Sequence, residues 1–171
     1  MHSFKKSLIA LAGLLVLFGA IAALTPLASR GQGKQQRGPR KYYLTQSQHD
    51  GSQTLSACAE GYHMASLWEI HDPSNLRYDT TLGFTTADSG SGPPASLNSN
   101  GWIRTGNVAS PGSGVLGQSN CSAWTTAAST ATGSVAGLHF SWTAGVVTVV
   151  SPWYGVEATC DTNVRVWCVQ D

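Results

Sequence analysis

Apolar and polar residues along this chain group into short segments that predict strands separated by long loops. Alternation is clearest at 164–169, and residues 138–150 combine alternation with a β-branched run. An aromatic segment at 41–47 and a short apolar segment between glycines at 101–106 predict two further strands. Residues 124–126 fit a short strand before another polar stretch. The intervening stretches are rich in Gly, Pro and Ser, which is typical of loops.

Two short helices are predicted in the first part of the domain. The first spans residues 52–61, begins at a serine and carries Cys58. Ser66 and Glu69 match the capping box, in which each side chain bonds the exposed backbone amide of the other, and they predict a second helix over 67–72. Two early helices followed by short antiparallel strands and long irregular loops indicate an α+β fold class.

The N-terminal residues 1–29 have the pattern of a targeting segment. Lys5 and Lys6 precede residues 8–24, a run without charged or strongly polar side chains, and small residues follow it. This arrangement is typical of a secretory signal peptide. The alternative is a retained membrane anchor, because the run is close to the shortest apolar length that spans a bilayer.

Residues 30–41 are basic and rich in Gly and Gln, which predicts a flexible linker. Their charge would suit contact with an anionic membrane surface, and the positive-inside rule would keep this side cytoplasmic. The four cysteines that follow oppose a cytoplasmic location, because paired structural cysteines are rare there. We therefore expect an exported protein that is secreted, periplasmic or on the cell surface.

Residues 42–171 are long enough to form one domain with a hydrophobic core. In this segment three arginines stand against nine carboxylates, which gives a net charge of −6. Nucleic-acid-binding domains need a basic surface, so we expect no nucleic-acid partner.

The cysteines of this domain are Cys58, Cys121, Cys160 and Cys168. An even number of cysteines behind an apolar leader predicts two disulfides and an oxidising compartment. Spacing alone leaves all three pairings of four cysteines open.

The order of these parts resembles the C-type-lectin-like domain, and the resemblance covers residues 42–171. The matching segments are 58–66, 102–106, 120–124 and 160–168. The sequence is most similar to endostatin-like members and to exported bacterial domains with the same cysteine layout. The resemblance implies an early strand, two helices and a closing strand that ends in cysteine.

The resemblance also implies a disulfide pairing and a binding role. Cys58 would pair with Cys168, and Cys121 with Cys160. The calcium-dependent sugar-binding members carry acidic motifs that are missing here, since residues 152–160 contain one carboxylate. Calcium needs about six to eight oxygen ligands, so we expect no calcium site of that kind and no other metal or cofactor.

No pattern of catalytic residues stands out in the sequence. His63 and His71 flank Glu69, but their spacing is not that of a metalloprotease, and no Gly-x-Ser-x-Gly elbow is present. We therefore expect no catalytic residues and no enzyme activity. The alternative is an exported hydrolase that uses His63, His71 or His139 with an acid.

Six tryptophans are more than one small core requires. Exposed tryptophans stack on sugars or anchor protein partners. Trp153 and Tyr154 follow a proline in a predicted loop, which makes them the candidates for exposed, ligand-binding aromatic residues. Packing in the core is the alternative for Trp153.

Together these features predict an exported, non-catalytic binding module. Its partner would be a cell-surface or extracellular glycan or protein, bound without the calcium-dependent sugar site. Two alternatives remain, the hydrolase and a structural component of the cell envelope tethered by residues 8–24.

Overall fold

The computed structural model describes residues 38–95, 99–106, 119–138 and 153–171. All of them belong to one compact unit, Arg37–Asp171. The predicted leader, the first eight residues of the predicted linker, and His139 lie outside the described residues, as does the predicted strand 138–150 apart from its first residue.

Seven strands among the described residues form one sheet built around the last of them. The strands are β1 (Arg40–Leu44), β2 (Tyr62–Met64), β3 (Leu76–Tyr78), β4 (Gly101–Trp102), β5 (Thr132–Leu138), β6 (Trp153–Thr159) and β7 (Arg165–Gln170). Their order across the sheet is β3-β1-β7-β4-β5-β6, and β2 pairs with the second half of β7. The α+β class and the strands predicted near both ends of the domain are confirmed.

Most pairings in the sheet are antiparallel, as predicted, but two are not. β1 runs parallel to β3, and β4 runs parallel to β7. Parallel strands need a long connection, and both pairs are joined by segments that contain other strands.

The central strand β7 is buried on both faces. Val166, Trp167, Cys168 and Val169 have no exposed surface, although alternation in the sequence would predict one covered face and one open face. Aromatic rings explain part of this burial, because Trp167 lies against Tyr42 and Trp153. The core of the domain therefore lies on both sides of β7.

The helix α1 (Leu67–His71) has the predicted capping box. The hydroxyl of Ser66 accepts a hydrogen bond from the Glu69 amide at 3.3 Å, and Glu69 Oε2 accepts one from the Ser66 amide at 2.9 Å. Ile70 is the fully buried residue of this helix and packs into the core.

The first predicted helix is wrong in extent. Only one 3₁₀ turn forms, at Thr54–Ser56, and Cys58 follows it. The reason is local, because the Ser52 hydroxyl donates to the Asp50 carboxylate instead of accepting a bond from a helix amide.

The segment α2 (Ser119–Trp124) replaces the strand predicted at 124–126. Residues 120–124 take positive φ values, so the segment turns in the left-handed sense. The Asn120 side chain accepts a hydrogen bond from the Ser134 amide at 2.8 Å, and the Cys121 carbonyl accepts from the Thr125 amide at 2.9 Å. A left-handed backbone is less favourable than a right-handed one by about 1–2 kcal/mol per residue. These hydrogen bonds and the Cys121–Cys160 disulfide stabilise it here.

Two disulfides join distant parts of the domain. Cys58 pairs with Cys168 and Cys121 with Cys160, which confirms the pairing that the family resemblance implied. Such bonds persist in an oxidising, extracellular-type environment. Within the part of the chain that the structure describes, no helix has the length and apolar character needed to cross a membrane.

Candidate functional site

A cleft of about 230 Å³ lies between the antiparallel β5–β6 pair and the residues that lead into β7. Its floor is apolar. Val135 and Val156 are directly opposite each other in the β5–β6 register, and Ala158 lies two residues farther along β6. Side chains two apart on a strand share a face, so Val156 and Ala158 point to the same side while Glu157 points to the other. Val156 keeps 48% of its surface exposed, which leaves an apolar patch open to a ligand.

Polar side chains form the rim of the cleft. Asn100 precedes β4, and Thr162 and Asn163 lie in the turn between β6 and β7. Gln48 completes the rim from the segment after β1. Amides and hydroxyls both donate and accept hydrogen bonds, which suits a ligand with many hydroxyl groups.

Backbone hydrogen bonds fix the position of Gln48 relative to the β7 side of the cleft. The amide of His49 donates to the Val164 carbonyl at 2.8 Å, and the Val164 amide donates back at 3.0 Å. The indole of Trp102 donates to the His49 carbonyl at 2.8 Å. The rim therefore rests on the ordered core and not on a free loop.

Arg165 is the one charged residue among the described residues that line the cleft. Its strand pairings place its side chain on the face of the sheet opposite Val135 and Val156. Its guanidinium lies over the Phe84 ring, 3.6 Å from the ring centroid, as in a cation–π contact. Burial lowers the pKa of Arg165 from its ordinary value, and the nearby Tyr78 partly opposes that shift. Arginine still carries its charge at neutral pH.

The two predicted ligand-binding residues lie on opposite faces of β6. Trp153 is only 8% exposed, so the prediction that it is exposed is wrong. It belongs to a strand and packs edge-on against Trp167, where burial removes its large apolar surface from water.

Tyr154 is partly buried and reaches the cleft indirectly. Alternation along β6 places it on the same face as Val156. Its hydroxyl donates a hydrogen bond to the side-chain oxygen of Asn100, one of the rim residues. Tyr154 therefore orients a lining group of the cleft.

Sequence reasoning missed the most exposed aromatic residue that the structure describes. Trp68 is 84% exposed on α1. Helix geometry gives a reason for the exposure of Trp68. Ile70 faces the core, and a residue two positions away on a helix lies about 200° around the axis, on nearly the opposite side. Such an indole can serve as an anchor for a partner.

A separate polar cluster surrounds His63. Its Nδ1 lies 2.6 Å from Asp171 Oδ1, and its Nε2 lies 3.0 Å from Glu69 Oε1. Arg40 also approaches Glu69 Oε1, at 3.3 Å. The hydrogen-bond partners of both ring nitrogens are therefore carboxylate oxygens and not a nucleophile.

The pKa of Glu69 reflects this cluster. Burial raises the pKa, but the hydrogen bonds from the Ser66 amide and hydroxyl, together with His63, lower it below the ordinary value. His71, the other described histidine of the hydrolase alternative, is exposed in the last turn of α1. Among the residues that the structure describes, no group of three or more His, Cys, Asp or Glu side chains could hold a metal ion.

No family model, curated protein or solved structure matches this chain.

Proposed function

We propose that this protein is an exported, non-catalytic binding module of the C-type-lectin-like type that recognises an extracellular glycan. The observation that carries the proposal is the cleft, which combines an apolar floor with a rim of amide and hydroxyl groups. A sugar ring has the complementary surface, with an apolar C–H face and hydroxyl groups at its edge. Ligand sites in general pair an apolar lining with a few polar groups that fix orientation.

The chemistry of the lining favours binding over catalysis. The side chains of its floor and rim are aliphatic groups, amides and a hydroxyl. None of these groups transfers protons readily near neutral pH. The alternative of a hydrolase depends on the histidines, and both ring nitrogens of His63 already bond to carboxylates.

The lectin-like type rests on the order of sequence motifs and on the disulfide pairing that the resemblance implies. Export rests on the leader pattern in residues 1–29 and on the two disulfides. Recognition without calcium follows from the neutral rim and from the scarcity of acids in residues 152–160.

A protein partner is the second candidate, and Trp68 is the observation that favours it. This indole is 84% exposed on the capped helix α1. Tryptophan is enriched among the residues that contribute most to protein–protein binding energy. A partner anchored there would leave the cleft empty.

The test is a binding screen on the full-length protein recovered from an oxidising compartment, with glycans and surface proteins as probes. Val156→Glu places a charge on the cleft floor, and Leu55→Glu is its matched control. The two side chains are aliphatic and similarly exposed, at 48% and 46%, but Leu55 lies outside the cleft. We expect Val156→Glu to weaken glycan binding at least tenfold and Leu55→Glu to leave it unchanged.

The other outcomes separate the alternatives. Binding lost in Trp68→Ala but retained in Val156→Glu would assign recognition to the α1 surface. Turnover of a substrate that disappears in His63→Gln or His71→Gln, with folding intact, would support the hydrolase. Retention in the membrane fraction with no ligand from any class would support a structural envelope component.

A further inference from the structure

We infer that the sugar bound in the cleft carries an acetamido group, and that the side-chain amide of Asn100 donates a hydrogen bond to its carbonyl oxygen. The preferred ligand would be a neutral 2-acetamido-2-deoxyhexose. This inference rests on the proposed glycan-binding function and adds the chemical class of the ligand.

Asn100 and the apolar floor of the cleft lie on the same face of the sheet. The strand register pairs Val135 with Trp102 of β4 and with Val156 of β6. Asn100 is two residues before Trp102, so alternation places its side chain on the face of Val135 and Val156. The contacts agree, because the Asn100 side chain meets Tyr154, which is two residues before Val156 on β6. A ligand that rests on the floor therefore lies on the side of the sheet that carries the Asn100 amide.

The side-chain oxygen of Asn100 is already bonded within the protein. It accepts a hydrogen bond from the Tyr154 hydroxyl. The Tyr154 ring lies over Gly137, its partner in the β5–β6 register, since a Cβ atom at Gly137 would be 3.1 Å from this ring and would also meet the Asn100 oxygen. Gly137 therefore leaves room for the pair, and the pair fixes the orientation of the Asn100 amide.

This orientation determines what Asn100 offers to a ligand. A side-chain amide has an oxygen that accepts hydrogen bonds and an NH₂ group that donates them. Because the oxygen faces Tyr154, the NH₂ group remains for a ligand, and it has no hydrogen-bond partner among the described residues. It is not one of the buried unpaired atoms of the described structure, so solvent reaches it. The cleft therefore presents a donor at this position and selects a ligand with an acceptor there.

An acetamido group complements both this donor and the floor. Its carbonyl oxygen would accept the hydrogen bond from Asn100, and its methyl group would contact the aliphatic floor, where Val156 is 48% exposed. Removing the methyl group and the exposed valine surface from water favours binding. A hydroxyl group at the same position would accept the hydrogen bond but would make no apolar contact.

The size and charge of the cleft suit one neutral ring. Its volume of about 230 Å³ is below the roughly 300–1,000 Å³ typical of pockets for drug-sized ligands. The described side chains of the floor and rim are uncharged, and the domain from residue 42 onward carries a net charge of −6. This charge disfavours an anionic sugar.

The experiment compares matched ligands on the unaltered full-length protein by calorimetry or ligand-detected NMR. Methyl 2-acetamido-2-deoxyhexosides are tested against their parent methyl hexosides, which differ only in a hydroxyl group in place of the acetamido group. We expect the acetamido member of a pair to bind about tenfold more tightly, because it adds apolar contact and a stronger acceptor. Equal or tighter binding of the parent hexosides would overturn the inference and leave glycan recognition in place. Absence of binding to any glycan would overturn both proposals.

Replacing Asn100 by aspartate tests the donor. Asn100→Asp keeps the size of the side chain and an oxygen for the Tyr154 hydroxyl, but it removes the NH₂ group. Asn163→Asp is the matched control, because it makes the same change at an exposed rim position. We expect the acetamido-to-hydroxyl affinity ratio to fall to about one in Asn100→Asp and to stay near its original value in Asn163→Asp, since both ligands are neutral. A ratio that is unchanged in Asn100→Asp, or lost equally in both variants, would contradict the role of Asn100.

Replacing Tyr154 by phenylalanine tests the positioning of the Asn100 amide. Tyr154→Phe keeps the ring over Gly137 and removes the hydroxyl that orients Asn100. Tyr62→Phe is the matched control, because the Tyr62 hydroxyl bonds Asp79 outside the cleft. We expect the affinity ratio to fall about threefold in Tyr154→Phe only, with circular dichroism showing that both variants are folded. An undiminished ratio in folded Tyr154→Phe would refute the fixed orientation of the donor.

Discussion

Trp153 and Trp167 pack edge to face, with their ring centroids 5.1 Å apart. This contact joins β6 to the central strand β7. It also explains why an aromatic residue that follows a proline in the sequence is part of the core and not of a binding surface.

Replacing Trp153 by alanine should lower the free energy of unfolding by about 3–5 kcal/mol, because the change removes a large buried ring and leaves a cavity. Urea unfolding followed by circular dichroism measures the difference. Trp68→Ala is the matched control, and we expect it to change stability by less than about 0.5 kcal/mol because that indole is 84% exposed. Similar losses in the two variants would contradict the burial assigned to Trp153.

A side chain larger than hydrogen cannot be placed at Gly133 without displacing the core. A Cβ atom there would lie 2.8 Å from Cys121 Sγ and 2.9 Å from the Trp102 ring. Overpacking of this kind costs about 1–3 kcal/mol, so Gly133→Ala should lower the melting temperature by several degrees. Gly92 is the matched control, because a Cβ there would meet only the Ser89 carbonyl at 3.7 Å. A melting temperature unchanged by Gly133→Ala would show that α2 and β5 pack less closely than described.

Stability should fall on acidification through the Glu69 carboxylate. Its pKa is lower in the folded protein than its ordinary value of 4.5, so the charged form contributes stability above that pH. The contribution is lost as the pH falls below 4.5 and through the folded pKa. Glu69→Gln keeps the capping-box geometry but removes the charge, so it should cost about 1 kcal/mol at pH 6 and progressively less toward pH 3.

Urea unfolding of both proteins at several pH values between 6 and 3 measures this convergence. A difference between the unaltered protein and Glu69→Gln that stays constant over the whole range would refute the role of the charge.

The two disulfides should differ in their contribution to stability. Cys58 and Cys168 are 110 residues apart in sequence, whereas Cys121 and Cys160 are 39 apart. The chain-entropy model gives about 5 kcal/mol for the longer loop and about 4 kcal/mol for the shorter one. Replacing each pair by alanine and measuring denaturant unfolding tests the order, and a larger loss for the Cys121–Cys160 pair would contradict it.

Local features of the fold were predictable from the sequence, because they depend on neighbouring residues. The capping box of α1 needs only Ser66 and Glu69 at the right spacing. The closing strand follows from the alternation at 164–169, and the structure places it at Arg165–Gln170. The disulfide pairing came from the family resemblance and not from spacing.

Features set by distant contacts were not predictable from the sequence. The left-handed α2 depends on a side-chain hydrogen bond to the Ser134 amide of β5 and on a disulfide to Cys160, which local propensity does not describe. The cleft assembles residues from the segment after β1, from β4 to β6 and from the approach to β7. No local motif could have brought Gln48, Asn100 and Arg165 together.

The central position of β7 has a consequence for the timing of folding. Strands β1, β2 and β4 all pair with a segment that begins at Arg165, far downstream of each of them. The sheet cannot close until those residues have left the ribosome, and pairings across such long separations form slowly. The pairings of β1, β2 and β4 with β7 are therefore the last to become possible during synthesis, whereas β5 and β6 can pair with each other before β7 emerges.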